Sequence, residues 1–64
     1  MEWLDDEVLY AVRAVRATGN QATARLVAIE MRSLDKPAVR ATLDRLVADG
    51  RLFQATDEYI PNGD

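Results

Sequence analysis

The spacing of apolar residues between positions 35 and 52 predicts the best-defined element of the chain. An apolar stripe at helical intervals consists of Val39, Leu43, Leu46 and Val47. Asp35 is suited to cap this helix, because its carboxylate can accept a hydrogen bond from a free first-turn N–H. Pro37 fits the first turn, where it removes no intrahelical hydrogen bond. Gly50 marks the exit from the helix, where we expect a positive φ angle.

Two further helices are predicted before this one. The first begins at Asp5 or Asp6, whose charges suit the positive end of the helix dipole, and ends near Thr18. The second runs from about Thr23 to Arg32. It is apolar nearly all round, so we expect it to be well buried; its apolar residues are Leu26, Val27, Ile29 and Met31. The short segment between the two helices can form one β-bridge at most.

Positions 52 to 60 predict a β-hairpin with Thr56 and Asp57 near its tip. A loop centred there places Phe53 opposite Ile60, an aromatic–β-branched pair of the kind that stabilises antiparallel strands. The tip carries no basic residue. We expect Leu34 to fill the core from the turn before the third helix, and the other core residues to include Val12, Leu26, Val39, Leu43, Leu46 and Leu52.

The composition restricts the chemistry that the chain can perform. Its 64 residues include neither cysteine nor histidine, so thiolate ligands, the commonest metal ligand and the commonest general base at neutral pH are absent. We therefore expect one domain over residues 1–64 that is not an enzyme and has no metal, cofactor or small-molecule ligand. No apolar run approaches the roughly 18 residues of a membrane span, and no signal peptide is recognised. The expected location is the cytoplasm, with no membrane contact.

The charge balance is acidic, with 11 Asp and Glu residues against eight Lys and Arg residues and a net charge of −3. Such a balance is not the basic footprint of a typical DNA-binding protein. However, seven of the eight bases are arginine and alanine is abundant, which favours a GC-rich genome such as that of a salt-loving archaeon. In molar salt the Debye length falls to about 3 Å, so net charge then says little about DNA binding.

The order of helix, bridge, helix, helix and hairpin, together with one sequence motif, resembles a known family. The motif is Val39-x-x-x-Leu43-x-x-Leu46-x-x-x-Gly50-x-Leu52. It is similar to the recognition helix and first wing strand of winged helix-turn-helix DNA-binding domains, which are common in small prokaryotic regulators. The resemblance implies a mostly helical α+β fold, with three helices and a C-terminal β-hairpin wing. It also implies a role in the regulation of transcription, with the third helix, about 36–49, in the major groove of double-stranded DNA.

The candidate residues for DNA contact follow from this resemblance and from the positions of the Lys and Arg residues in the sequence. Carried over to this chain, the groove-facing residues are Lys36, Pro37, Ala38, Arg40, Ala41 and Arg45. Arg25 and Arg32 share the polar side of the second helix and are candidates for phosphate contact, although a solvated face is the alternative. Two departures from the family pattern are evident. The turn at Ser33 lacks the glycine often found there, and the wing lacks the usual base.

The alternative interpretation is that the third helix is an ordinary surface helix whose charged side chains face solvent. Arg40 can then pair with Asp44, and Arg45 with Asp49, at i,i+4 spacing. In that case the fold serves as a protein–protein interaction module, with the acidic wing as its docking edge. The DNA interpretation requires instead that the basic side chains of the second and third helices converge on one side of the molecule.

The outer face of the first helix is a candidate dimer interface. A terminal tryptophan and an aromatic ring beside small side chains suit close helix approach; these residues are Trp3, Tyr10, Ala14 and Ala17. In winged helix regulators the first helix commonly makes the dimer. We therefore expect a homodimer with its two-fold axis near Ala14, crossing antiparallel so that the acidic first turns stay apart. The alternative is a single exposed aromatic residue on an ordinary surface.

Overall fold

Three helices followed by an antiparallel hairpin make up a mostly helical α+β fold, as predicted from the sequence and compatible with the winged helix layout. The computed structural model describes residues 2–33 and 35–62, and the side chains of residues 2 and 3 are not described. The predicted core role of Leu34 therefore lies outside the described residues. The elements are α1 (Glu2–Ala17), α2 (Ala24–Glu30), α3 (Lys36–Ala48), β1 (Leu52–Ala55) and β2 (Glu58–Pro61).

Helix α3 begins and ends as its sequence predicts. The Ala38 N–H donates to Oδ1 of Asp35 at 3.1 Å, so Asp35 is the N-cap. Pro37 occupies the first turn. Gly50 has a φ angle of +77°, which glycine adopts without steric cost, and the chain turns there into β1. These local signals place α3 between two fixed boundaries.

The core lies where all three helices meet the hairpin. Val39, Leu43 and Leu46 of α3 are buried, and Leu52 and Tyr59 close the core from the two strands. The other buried apolar residues are Val8, Leu9, Ala11, Val12, Val15, Ala22, Val27 and Ala28. The predicted core is confirmed except at Leu26, which is only partly buried against this cluster.

Helix α1 begins earlier than predicted, at Glu2 rather than at Asp5 or Asp6. Asp5 does not cap the helix start, because it lies within the helix and its carboxylate accepts from the Arg45 guanidinium of α3. Asp5 therefore links α1 to α3 instead of marking the helix boundary. The local sequence does not distinguish a carboxylate that caps a helix from one that pairs with a residue far along the chain.

Helix α2 is shorter and less buried than predicted. It covers seven residues, with Thr23 as the N-cap that accepts from the Leu26 N–H at 3.2 Å. Val27 is buried, whereas Ile29 is 55% exposed. A helix of seven residues, about two turns, packs only one face against α1 and α3. Its remaining apolar side chains therefore reach solvent.

The hairpin has the predicted register, with Phe53 paired to Ile60. Thr56 adopts a φ angle of +58°, which a tight two-residue loop needs at its first central position. The predicted bridge between the helices and the sheet is also present, from Thr23 to Glu58. This bridge holds the start of α2 against β2 and fixes the hairpin beside α3.

Candidate nucleic-acid interface

The outward face of α3 combines exposed bases with small side chains. Lys36, Pro37, Arg40 and Ala41 are exposed, and Ala38 is half-buried. This face lies opposite the buried stripe of the same helix. Small side chains on it leave the helix backbone accessible to a flat or grooved partner.

A groove runs from the start of α2 across α3 to the hairpin, and we call it the basic groove. Its helical part, an open cavity of about 190 Å³, is lined by Arg25, Lys36 and Arg40 with two alanines of α2. It continues into a cavity of about 230 Å³ that Arg25 and Arg40 share with Gln54 and Tyr59 of the hairpin. Three of the predicted contact residues thus converge on one side of the molecule.

Three other basic side chains are engaged by carboxylates. The ion pairs join Arg16 to Glu58 at 2.9 Å, Arg51 to Asp6 at 3.7 Å, and Arg45 to Asp5. Within the part of the chain that the structure describes, the bases without any ion pair are Arg25, Arg32, Lys36 and Arg40. Of these, Arg25, Lys36 and Arg40 line the basic groove, and Asp57 also lines its hairpin end, so positive charge predominates there although the whole chain is acidic.

The i,i+4 pairs expected of an ordinary surface helix do not form. Arg40 makes no ion pair with Asp44, and Arg45 turns to Asp5 on α1 instead of Asp49. Arg45 is thereby set apart from the other predicted contact residues, since its guanidinium is held at the α1–α3 contact. It remains about half exposed, at 47% of its side chain.

Asp44 interacts with the hairpin. Burial raises the pKa of Tyr59, and Asp44 raises this pKa further through its negative charge and as a hydrogen-bond acceptor, while the charge of Arg40 lowers it. The phenol consequently stays protonated at neutral pH and can donate to Asp44. Tyr59 was predicted only as a strand residue, and its position beside Arg40 arises from packing between α3 and β2 that no local pattern reveals.

Arg32 lies at the end of α2 with a φ angle of +54°. It adopts this left-handed conformation in the turn between α2 and α3. A side chain with a Cβ in this conformation costs roughly 1–2 kcal/mol. The structure gives no contact between Arg32 and the basic groove.

The candidate dimer face is partly described. Tyr10 is 74% exposed, Ala17 is exposed and Ala14 is half-buried, so all three lie at the surface along α1. The side chain of Trp3 lies outside the described residues. Ile29 and Phe53 are further large exposed apolar residues, each at 55%. The burial predicted for Ile29 is therefore not found.

No protein-family model, no curated protein and no solved structure matches this chain. Across the described residues, no group of three or more acidic, histidine or cysteine side chains is placed to hold a metal ion. In the same residues, no helix combines the length and the apolar character that crossing a membrane requires.

Proposed function

We propose that the chain is a cytoplasmic, sequence-reading DNA-binding protein of the winged helix-turn-helix type that regulates transcription. The observation that carries this proposal is the segregation of its charges. Arg25, Arg32, Lys36 and Arg40, which make no ion pair among the described residues, belong to α2, α3 and the turn between them, whereas Arg16, Arg45 and Arg51 are paired with carboxylates.

The geometry of the basic groove suits double-stranded DNA. Insertion of α3 into the major groove requires small side chains on its outward face, which Pro37, Ala38 and Ala41 supply. Arg40 is then positioned to donate two hydrogen bonds to a guanine edge. Arg25 and Lys36, on either side of it, would contact the phosphates. In this arrangement α2 and α3 both touch the DNA, and the hairpin lies beside them.

Salt dependence of duplex binding tests the electrostatic part of the proposal. Fluorescence anisotropy with a labelled duplex is expected to give a log–log slope of about −2 to −4, because each neutralised phosphate contributes about −0.9. Lys36→Ala should reduce the slope by about 1, since it removes one phosphate contact. Arg51→Ala is the matched control, because it removes the same charge from a residue paired with Asp6. Equal changes in the two variants, or no duplex binding at all, would refute the proposal.

The second candidate function, a protein interaction module, is favoured by the hairpin. Phe53 is 55% exposed beside the half-buried Ile60, and the loop that follows carries Asp57. An exposed apolar pair on a hairpin whose two strands and loop carry no Lys or Arg suits a protein partner better than DNA. Failure of duplex binding would leave this function as the proposal.

A homodimer through α1 is proposed as the route to two DNA half-sites, because a domain of this size covers little DNA by itself. Sedimentation of the wild type and of Tyr10→Glu at matched micromolar concentrations measures it. We expect the wild type to dimerise and the variant to sediment as a monomer, since Tyr10 would be buried at the two-fold axis. A monomeric wild type, or an equally dimeric variant, would show that this face is solvated surface.

A further inference from the structure

A second groove lies between the first half of α1 and the end of α2. We call it the acidic groove. Its volume is about 400 Å³, and it is lined by Asp6, Glu7, Tyr10, Ala11, Glu30 and Met31. It shares no lining residue with the basic groove, so the two surfaces can be occupied independently.

The inner surface of the acidic groove is apolar. Ala11 is almost fully buried and Met31 is half-buried against the core, so together they form the floor. Tyr10 forms one wall and is 74% exposed. Methionine adapts its shape to different apolar partners, and an exposed tyrosine ring supplies contact area at low entropic cost. The groove therefore has room and apolar contacts for a few large side chains.

The rim of this groove carries uncompensated negative charge. Glu7 on α1 and Glu30 on α2 make no ion pair with any base in the described part of the chain. Asp6 is paired only loosely, at 3.7 Å from Arg51, and its side chain is 79% exposed. No basic side chain lines the groove. An apolar floor between acidic edges complements a segment that is apolar on one side and basic on the other.

We infer that the acidic groove is a docking site for a basic amphipathic helix of a partner protein. A second copy of this chain, seated symmetrically, would bring Glu7 and Glu30 against like charges. Nucleic acid is excluded for the same reason. A small cation would leave Tyr10 and Met31 without a role. A basic helix satisfies both the apolar contact and the charge. This inference goes beyond DNA binding and does not depend on it.

The probe for this site is a fluorescein-labelled peptide of about 18 residues, roughly five helical turns, with leucine on one face and lysine on the other. The comparison peptide has glutamate in place of every lysine. Anisotropy titration with the full chain is expected to show saturable binding of the lysine peptide and binding at least about tenfold weaker for the glutamate peptide. Equal binding of both peptides, or no binding of the lysine peptide, would overturn the inference.

Location and charge specificity are tested with variants of exposed residues. Glu7→Lys combined with Glu30→Lys is expected to weaken peptide binding about tenfold, and Tyr10→Ser, which leaves the charge unchanged, about fivefold. Asp49→Lys combined with Asp57→Lys makes the same charge change outside the groove and should alter affinity less than about twofold. An equal loss in both double variants would mean non-specific attraction of a basic peptide to an acidic chain.

The binding position is read from amide chemical shifts during the titration. Shifts centred on Ala11 and Met31 support the inference. Shifts centred on the hairpin or on α3 contradict it. Tyr10 also belongs to the proposed dimer face, so Glu30 distinguishes the two contacts, because it lines the acidic groove and is not part of that face. Self-association that depends on both Tyr10 and Glu30 would also overturn the inference, because the occupant of the groove would then be a second copy of the chain.

Discussion

Leu43→Ala is expected to lower the free energy of unfolding by about 2–5 kcal/mol. Leu43 is fully buried on α3, at the point where that helix meets the rest of the core. Truncation removes apolar contact and leaves a cavity that rigid neighbouring elements cannot fill. A core of this size rarely supplies more than about 3–5 kcal/mol in total, so the variant should be largely unfolded at room temperature. Urea denaturation followed by circular dichroism measures the change.

Ile29→Ala is the matched control for this prediction. It also shortens an aliphatic side chain on a helix, but Ile29 is 55% exposed on α2. The expected loss is therefore about 0.5 kcal/mol. A loss below about 1 kcal/mol for Leu43→Ala, or comparable losses at both positions, would show that α3 does not pack through its apolar stripe.

The parts of the fold that the sequence predicts well are those with local signals. Helix α3 has a cap at Asp35, a first-turn proline and a glycine at its exit, and each acts through backbone groups only a few residues away. The hairpin register follows equally from the short loop that joins the strands. Such features depend little on the rest of the chain, which is why their predicted boundaries agree with the structure.

The predictions that failed concern contacts between distant segments. Asp5 has the character of a helix cap, but its partner Arg45 lies 40 residues later in the chain. Ile29 fits an apolar helix, but whether it is buried depends on how α2 packs against α1 and α3. A single sequence without a known tertiary arrangement contains no local signal for either outcome.

For the candidate DNA-binding site, the sequence predicted which residues contribute better than it predicted how those residues are arranged. The resemblance placed Lys36, Arg40 and Arg45 on one face, and the position of Arg25 in α2 suggested phosphate contact. The structure brings Arg25, Lys36 and Arg40 together in the basic groove, whereas Arg45 is held by Asp5. Helical periodicity alone treats these basic side chains as equivalent. The ion pair between α1 and α3 makes Arg45 different from the other three, because its charge is already compensated by Asp5.

Arg40→Ala is expected to weaken binding to a selected DNA sequence by about 1–3 kcal/mol and to relax base preference at one position. Selection from a random duplex pool with the wild-type chain supplies that sequence, and anisotropy titration measures the change in affinity. Arg40 is exposed and makes no described ion pair, so the urea midpoint should not change.

Two further variants separate base reading from charge at this position. Arg40→Lys keeps the charge but loses the bidentate donor geometry, so we expect it to retain the salt slope and lose base preference. Arg51→Ala removes one positive charge from the ion pair with Asp6 on α1, away from the basic groove, and should leave both properties intact. If Arg40→Ala and Arg51→Ala weaken binding equally, α3 does not read base edges. If the random pool yields no enriched sequence, the chain does not discriminate between DNA sequences, and Arg40 has only an electrostatic role.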